Sequence, residues 1–309
     1  MNPFLNPTDR QTLCVLALIA SVLTAGPLAA QPNVSAPEVA AQQLELRRVM
    51  SDPYMPPQEP TGEDLIILYE HKPFYLSFES LGSWTSNAFL SNVDKTDFYT
   101  SNTISFGFET LIAERYSIQI GPSISFHRYS KFSQLDYETI GGQVRFSVPY
   151  PSWEWGVEYR PTAIYSRSFD EHSVTLHDLS GFIAGQHSLT ETTGLFGEGR
   201  LSRVFADPDD FNVTRISLSG GFFAVLQPGL SLTLGVALIG SYYDDYFEDD
   251  LGGARYEMLV SPVAQITWQP CEQITLSASL RYSHNESSIG QLDYDEVAFM
   301  PRISITIRF

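Results

Sequence analysis

Few side chains in this sequence are grouped for covalent chemistry. The candidate general bases are His127, His172, His177, His187 and His284. A hydrolase needs a histidine that takes the proton of a serine hydroxyl, and a polar group that orients the ring. His187 directly precedes Ser188, His284 is followed by Glu286, Ser287 and Ser288, and His127 by Arg128, Tyr129 and Ser130. None of these gives a His-x-Ser pair. No glycine-rich phosphate loop, nucleophile elbow or paired-cysteine metal site is present. The stretch DDYFEDD (244–250) clusters carboxylates of the kind hard cations choose, but it lacks the spaced ligands of a calcium loop. A solvated acidic loop is the preferred reading. No enzyme activity, metal or cofactor is expected.

The chemistry that remains is electrostatic, and it depends on where arginines and glutamates recur. From residue 73 onward the dominant period is two. In the last segment Val297, Phe299, Pro301, Ile303, Ile305, Ile307 and Phe309 share one side, while Glu296, Ala298, Met300, Arg302, Ser304, Thr306 and Arg308 share the other. Successive side chains of a strand point to opposite faces, so this strand has one oily face and one mostly polar face. The same alternation marks 153–166, 255–268 and 273–284, and segments near 74–85, 99–111, 116–129, 136–148, 213–226 and 230–243. Segments 174–185 and 194–204 are weaker and glycine-rich, which leaves their register open.

Short connectors (113–115, 149–152, 186–192, 227–229, 269–272) alternate with longer ones near 86–98, 130–136, 168–173, 205–211, 244–254 and 285–295. About twelve strands, with short turns at one end and long loops at the other, describe an all-β transmembrane barrel of antiparallel up-and-down strands. Aromatics gather at strand ends (Trp153, Trp155, Trp268, Tyr242, Tyr243, Tyr282, Phe309), as membrane-interface girdles do. The polar faces are rich in Ser, Thr and Gly and poor in Lys, which suits an enclosed interior better than the solvated face of a sandwich.

Within such a barrel, parity turns Glu79, Glu109, Glu154, Glu158, Glu198 and Glu257 inward, with Arg145, Arg160, Arg200, Arg215, Arg255, Arg281, Arg302 and Arg308. An arginine on the lipid face near mid-depth costs roughly 2–4 kcal/mol, which forces this choice. Two arrangements fit. The arginines, Arg145, Arg160, Arg200, Arg281 and Arg302 above all, line a small aqueous pore that passes small polar or anionic solutes. Or they pair with the glutamates and fill a narrow lumen, leaving a structural or surface-binding barrel. Acids such as Asp94, Asp97, Asp136, Asp170, Asp207, Asp209, Asp293, Asp295 and Glu296 are assigned to the long loops and carry most of the net charge.

The chain closes on RISITIRF, and its last hairpin carries Arg281, Asn285, Ser287, Tyr294 and Arg308-Phe309. That hairpin, with SNAFLSNVDKTDFYTS (86–101), resembles the type-2 β-barrel porin-like family of the outer membrane. It also resembles the barrel module of surface-lipoprotein assembly modifiers, whose helical-repeat domain is absent here. The resemblance implies a Gram-negative outer-membrane location and the barrel fold. It makes Phe309 the signal read by the barrel-assembly machinery and places the termini in the periplasm. Lipopolysaccharide and other outer-membrane lipids would be neighbours, and the acidic loops would face outside. A few outer-membrane barrels hydrolyse lipids, and His284, lipid-facing near the outer end, is the candidate for that chemistry.

The remaining features agree. An apolar run, Leu13–Leu23, followed by small residues up to Ala30, reads as a secretory leader over 1–30. Residues 31–72 combine a helix-forming stretch with a proline-rich linker, and 73–309 form the barrel. After cleavage near Ala30 one cysteine, Cys271, remains, so no internal disulfide can form. With 18 basic against 36 acidic residues the net charge is −18, which excludes nucleic-acid binding.

Overall fold

The computed structural model describes residues 39–44, 72–113, 115–244 and 255–309. The leader over 1–30, most of 31–72 and residues 245–250 of the acidic stretch lie outside the described residues. The wall consists of β1 (Phe74–Thr85), β2 (Asp97–Ile112), β3 (Tyr116–Tyr129), β4 (Tyr137–Pro149), β5 (Trp153–Ser166) and β6 (His172–Ser188). It continues with β7 (Thr193–Asp207), β8 (Val213–Gln227), β9 (Leu230–Tyr243), β10 (Arg255–Cys271), β11 (Ile274–Ser287) and β12 (Tyr294–Arg308). Each strand pairs with its sequence neighbours, and β1 pairs antiparallel with β12, so the sheet closes into a barrel. Phe309 completes the seam: its N–H donates to the Phe74 carbonyl at 3.0 Å and its carbonyl accepts from the Phe74 N–H at 3.2 Å.

The two-residue period becomes two surfaces. Outward side chains such as Leu201, Ile216 and Leu218 are 57%, 58% and 56% exposed. A continuous apolar belt of this kind is costly in water and matched to hydrocarbon, where a closed sheet also satisfies every wall hydrogen bond. Among the described residues no helix is long and apolar enough to cross a membrane; the strands form the apolar surface. They run from 12 to 17 residues, whereas roughly 9–11 suffice to cross. Inward positions hold small residues where large ones must lie across them. A Cβ on Gly107 would sit 2.1 Å from the Tyr75 ring, which lies over that glycine. The Tyr75 hydroxyl accepts from Gln119 Nε2 at 3.1 Å.

Trp153, Trp155, Trp268 and Phe309 project outward at the short-turn end. Trp84, Tyr242, Tyr256 and Tyr282 do so toward the long-loop end. Tyr243 does not join this girdle, contrary to the reading above. It is 6% exposed, and its hydroxyl lies 3.4 Å from Glu257 inside the barrel. Adjacent strand residues face opposite ways, so only one of Tyr242 and Tyr243 can point to lipid.

Three acids assigned to solvated loops are also buried: Asp97, Asp136 and Glu296. Asp97 accepts from the backbone N–H groups of Phe98 at 2.7 Å and of Lys131 and Phe132 at 3.1 Å. It therefore pins the β3–β4 connector to the start of β2. Asp97→Ala is expected to destabilise the barrel by about 2–3 kcal/mol, because buried amide donors lose a charged acceptor. Asp97→Asn, which keeps one oxygen, should lose less. Urea midpoints of vesicle-embedded protein check the order. Asp136 accepts from the Tyr129 N–H at 2.7 Å. Burial holds its carboxyl above the usual range, against the lowering effect of that bond and of Arg128 and Arg167. A carboxyl raised on folding favours the folded state more as pH falls through its raised value.

Candidate functional site

The interior is divided along the barrel axis. Toward the short turns it is polar and charged. Arg308 Nη2 meets Glu109 Oε2 at 3.1 Å, and Arg302 Nη1 lies 3.5 Å from Glu79 Oε2. Arg145 pairs with Glu154 and sits over the Phe182 ring, 4.2 Å from its centroid. Deeper in, Glu158 is 1% exposed and pairs with both Arg160 and Arg200. Arg200 also donates to Glu198 at 2.7 Å and to Ser180 at 3.0 Å. These contacts follow from strand geometry. Glu158 and Arg160 are two apart on one face of β5, and Glu198 and Arg200 are two apart on one face of β7, whereas Arg145 stands opposite Glu158 in register but reaches along the strand to Glu154.

Higher up, Arg281 donates to Glu296 at 2.6 Å and Arg255 to Glu257 at 2.5 Å. Arg215, buried, borders a small cavity with Glu257, Tyr243, Asn285, Tyr294 and Gln42. The arginines read from parity thus stand inside the wall, and those at 145, 160, 200, 281 and 302 each lie against a glutamate. Alternation alone places charges on a face; it does not say which strands bring them within bonding distance.

The half toward the long loops departs from the polar face read in the sequence. Leu81, Tyr99, Tyr129, Tyr137, Ile164, Val174 and Met300 point inward and belong to one buried apolar cluster. The β1–β2 loop folds into the barrel mouth. Its Ala88 and Phe89 join that cluster, while Leu90 packs in a second one with Ile239 of β9, Leu259 of β10 and Tyr294 of β12. Asn87, fully buried, braces this loop by donating to the Ser91 carbonyl at 2.6 Å. Val39 and Ala40 of the 39–44 helix are 1% and 0% exposed and belong to the first cluster. The sequence signal for this collar was available. Tyr99, Tyr129 and Tyr137 share the parity of Ser101, His127 and Thr139, but tyrosine is neutral in a polar-or-apolar count.

The histidines are dispersed. His127 is buried and stacks on Tyr137, with ring centroids 4.0 Å apart. His177 bonds Tyr159 at 2.7 Å on the outer surface. His284 Nδ1 lies 2.9 Å from Asp295 Oδ1, and Nε2 lies 3.4 Å from Glu286. Acids thus flank both ring nitrogens of His284. Among the described residues no group of three or more His, Cys, Asp and Glu side chains is arranged to hold a metal ion.

No family model matches the chain, and no curated protein matches it. Solved structures do. An outer membrane channel from Pseudomonas putida F1 aligns with a TM-score of 0.51 at 15% identity, over 81% of this chain and all of that one (100%). The NanC porin aligns at 0.41 and 9% identity, over 74% of this chain and 98% of that one. LpxR from Salmonella typhimurium aligns at 0.44 and 9% identity, over 74% and 99%. At these identities the likeness is one of fold: the chain is a closed twelve-strand antiparallel barrel of the outer-membrane type.

Proposed function

We propose that this protein is an outer-membrane channel that passes small polar solutes without catalysing a reaction. The observation that carries the reading is a continuous apolar exterior around an interior whose short-turn half is polar and partly open to solvent: Arg308, Glu109 and Glu79 stay partly exposed there although they point inward. Charges kept within the barrel serve a water-filled path. The terminal hairpin supports membership of the type-2 porin-like family, with the short turns and both termini in the periplasm and the acidic loops outside beside lipopolysaccharide. Phe309, whose backbone closes the seam, is the residue offered to the barrel-assembly machinery.

Pairing also refines the solute class. Each arginine at 145, 160, 200, 281 and 302 has a glutamate beside it, so the path carries little net field and favours neutral polar solutes over anions. Single-channel recording in planar bilayers tests this. Conducting events with a reversal potential near zero in a salt gradient are expected. Purified protein that inserts but never conducts, either as the full chain or after removal of 39–44, overturns the channel reading.

A further inference from the structure

The 39–44 helix lies in the barrel mouth under the infolded loop, and what seats it there is unevenly matched. Along the described residues 39–44 one side of the helix is turned to the buried apolar cluster, so tertiary contacts help to hold it there. On one side Val39 and Ala40 are buried among Leu81, Ile164, Met300 and Phe89. The small side chain of Ala40 allows close approach. On the other side Gln43 is 4% exposed, and its side-chain carbonyl has no hydrogen-bond partner among the described residues. The Gln42 carbonyl is likewise buried without a partner and borders the cavity lined by Arg215, Glu257 and Asn285. Buried amides left unpaired oppose the apolar seating. The helix is thus held by a few methyl groups and loosened by two glutamines, which makes its seat shallow.

We infer that the 39–44 helix is a removable stopper, closing the lumen at its apolar collar and leaving its seat when a solute passes. This rests on the channel reading above. The two glutamine carbonyls, buried without a partner among the described residues, regain water when the helix leaves, which favours release.

The experiment uses the full chain, the same chain lacking 39–44, and Ala40→Glu, which places a charge in the collar. No strand is altered, and folding is checked by the mobility difference between heated and unheated samples. In planar bilayers the full chain should be mostly closed with brief openings. Both variants should spend about tenfold more time open, or more. Equal open fractions for all three overturn the stopper while leaving the channel standing. A second measurement does not depend on conduction. In Ala40→Cys, with the native cysteines changed to serine, the introduced thiol should react with an impermeant maleimide about tenfold more slowly in the folded barrel than in urea. Immediate labelling of the folded protein overturns the seat itself. A protected thiol in a barrel that never conducts, with or without 39–44, overturns the channel and the stopper with it.

Discussion

Glu296→Ala is expected to destabilise the barrel by about 3–5 kcal/mol, the range for removing one partner of a buried ion pair. Glu296 is 2% exposed on β12. Its Oε2 accepts from Arg281 of β11 at 2.6 Å and its Oε1 from the Thr85 hydroxyl of β1 at 2.7 Å. One carboxylate therefore ties three consecutive strands across the seam where the sheet closes. Without it Arg281, 3% exposed, keeps its charge in a buried position and loses the carboxylate it donates to. Glu296→Gln retains an acceptor and should lose about half as much. The double change Glu296→Leu with Arg281→Met removes both charges and should recover most of the stability, as apolar replacements of buried pairs often do. Urea midpoints in lipid vesicles measure the series. A loss under about 1 kcal/mol for Glu296→Ala would show that water screens the pair.

Glu158→Ala is the second large effect, expected at about 3 kcal/mol. Glu158 joins Arg160 and Arg200, and it is the most buried carboxylate of that cluster. The loss falls below the seam value because Arg200 keeps Glu198 and Ser180, and because Arg160 is partly exposed to the lumen. The change should also make conduction anion-selective, since two arginines then face the path with one fewer carboxylate. A stability loss with no movement of the reversal potential would place these residues outside the conducting path.

The alternation read from residue 73 onward matches the wall closely: β3, β5 and β9 begin and end where the period does. Where it failed, the cause is visible. In β6 and β7 the lipid-facing positions include Gly181, Gly185, Gly197 and Gly199, so half of the apolar beat is silent and both strands read shorter than they are. Loop acids looked solvated because a count of charges says nothing about turns. Asp97 and Asp136 are buried by the amides they bind, and those amides exist only once the connector folds. The infolded Phe89 and Leu90 need partners from strands far apart in the chain, which no local pattern reveals.

The uneven interior has a consequence for water itself. The charged half wets readily from the short-turn side, whereas a ring of tyrosine, leucine, isoleucine and methionine side chains gives liquid little to bond to. On the channel reading proposed above, a hydrated ion reaching that ring would shed its shell or wait for the ring to flood, and an uncharged polar solute would surrender less. Discrimination would then arise from evaporation at a dry neck, and temperature and osmotic stress would shift it more than ionic strength.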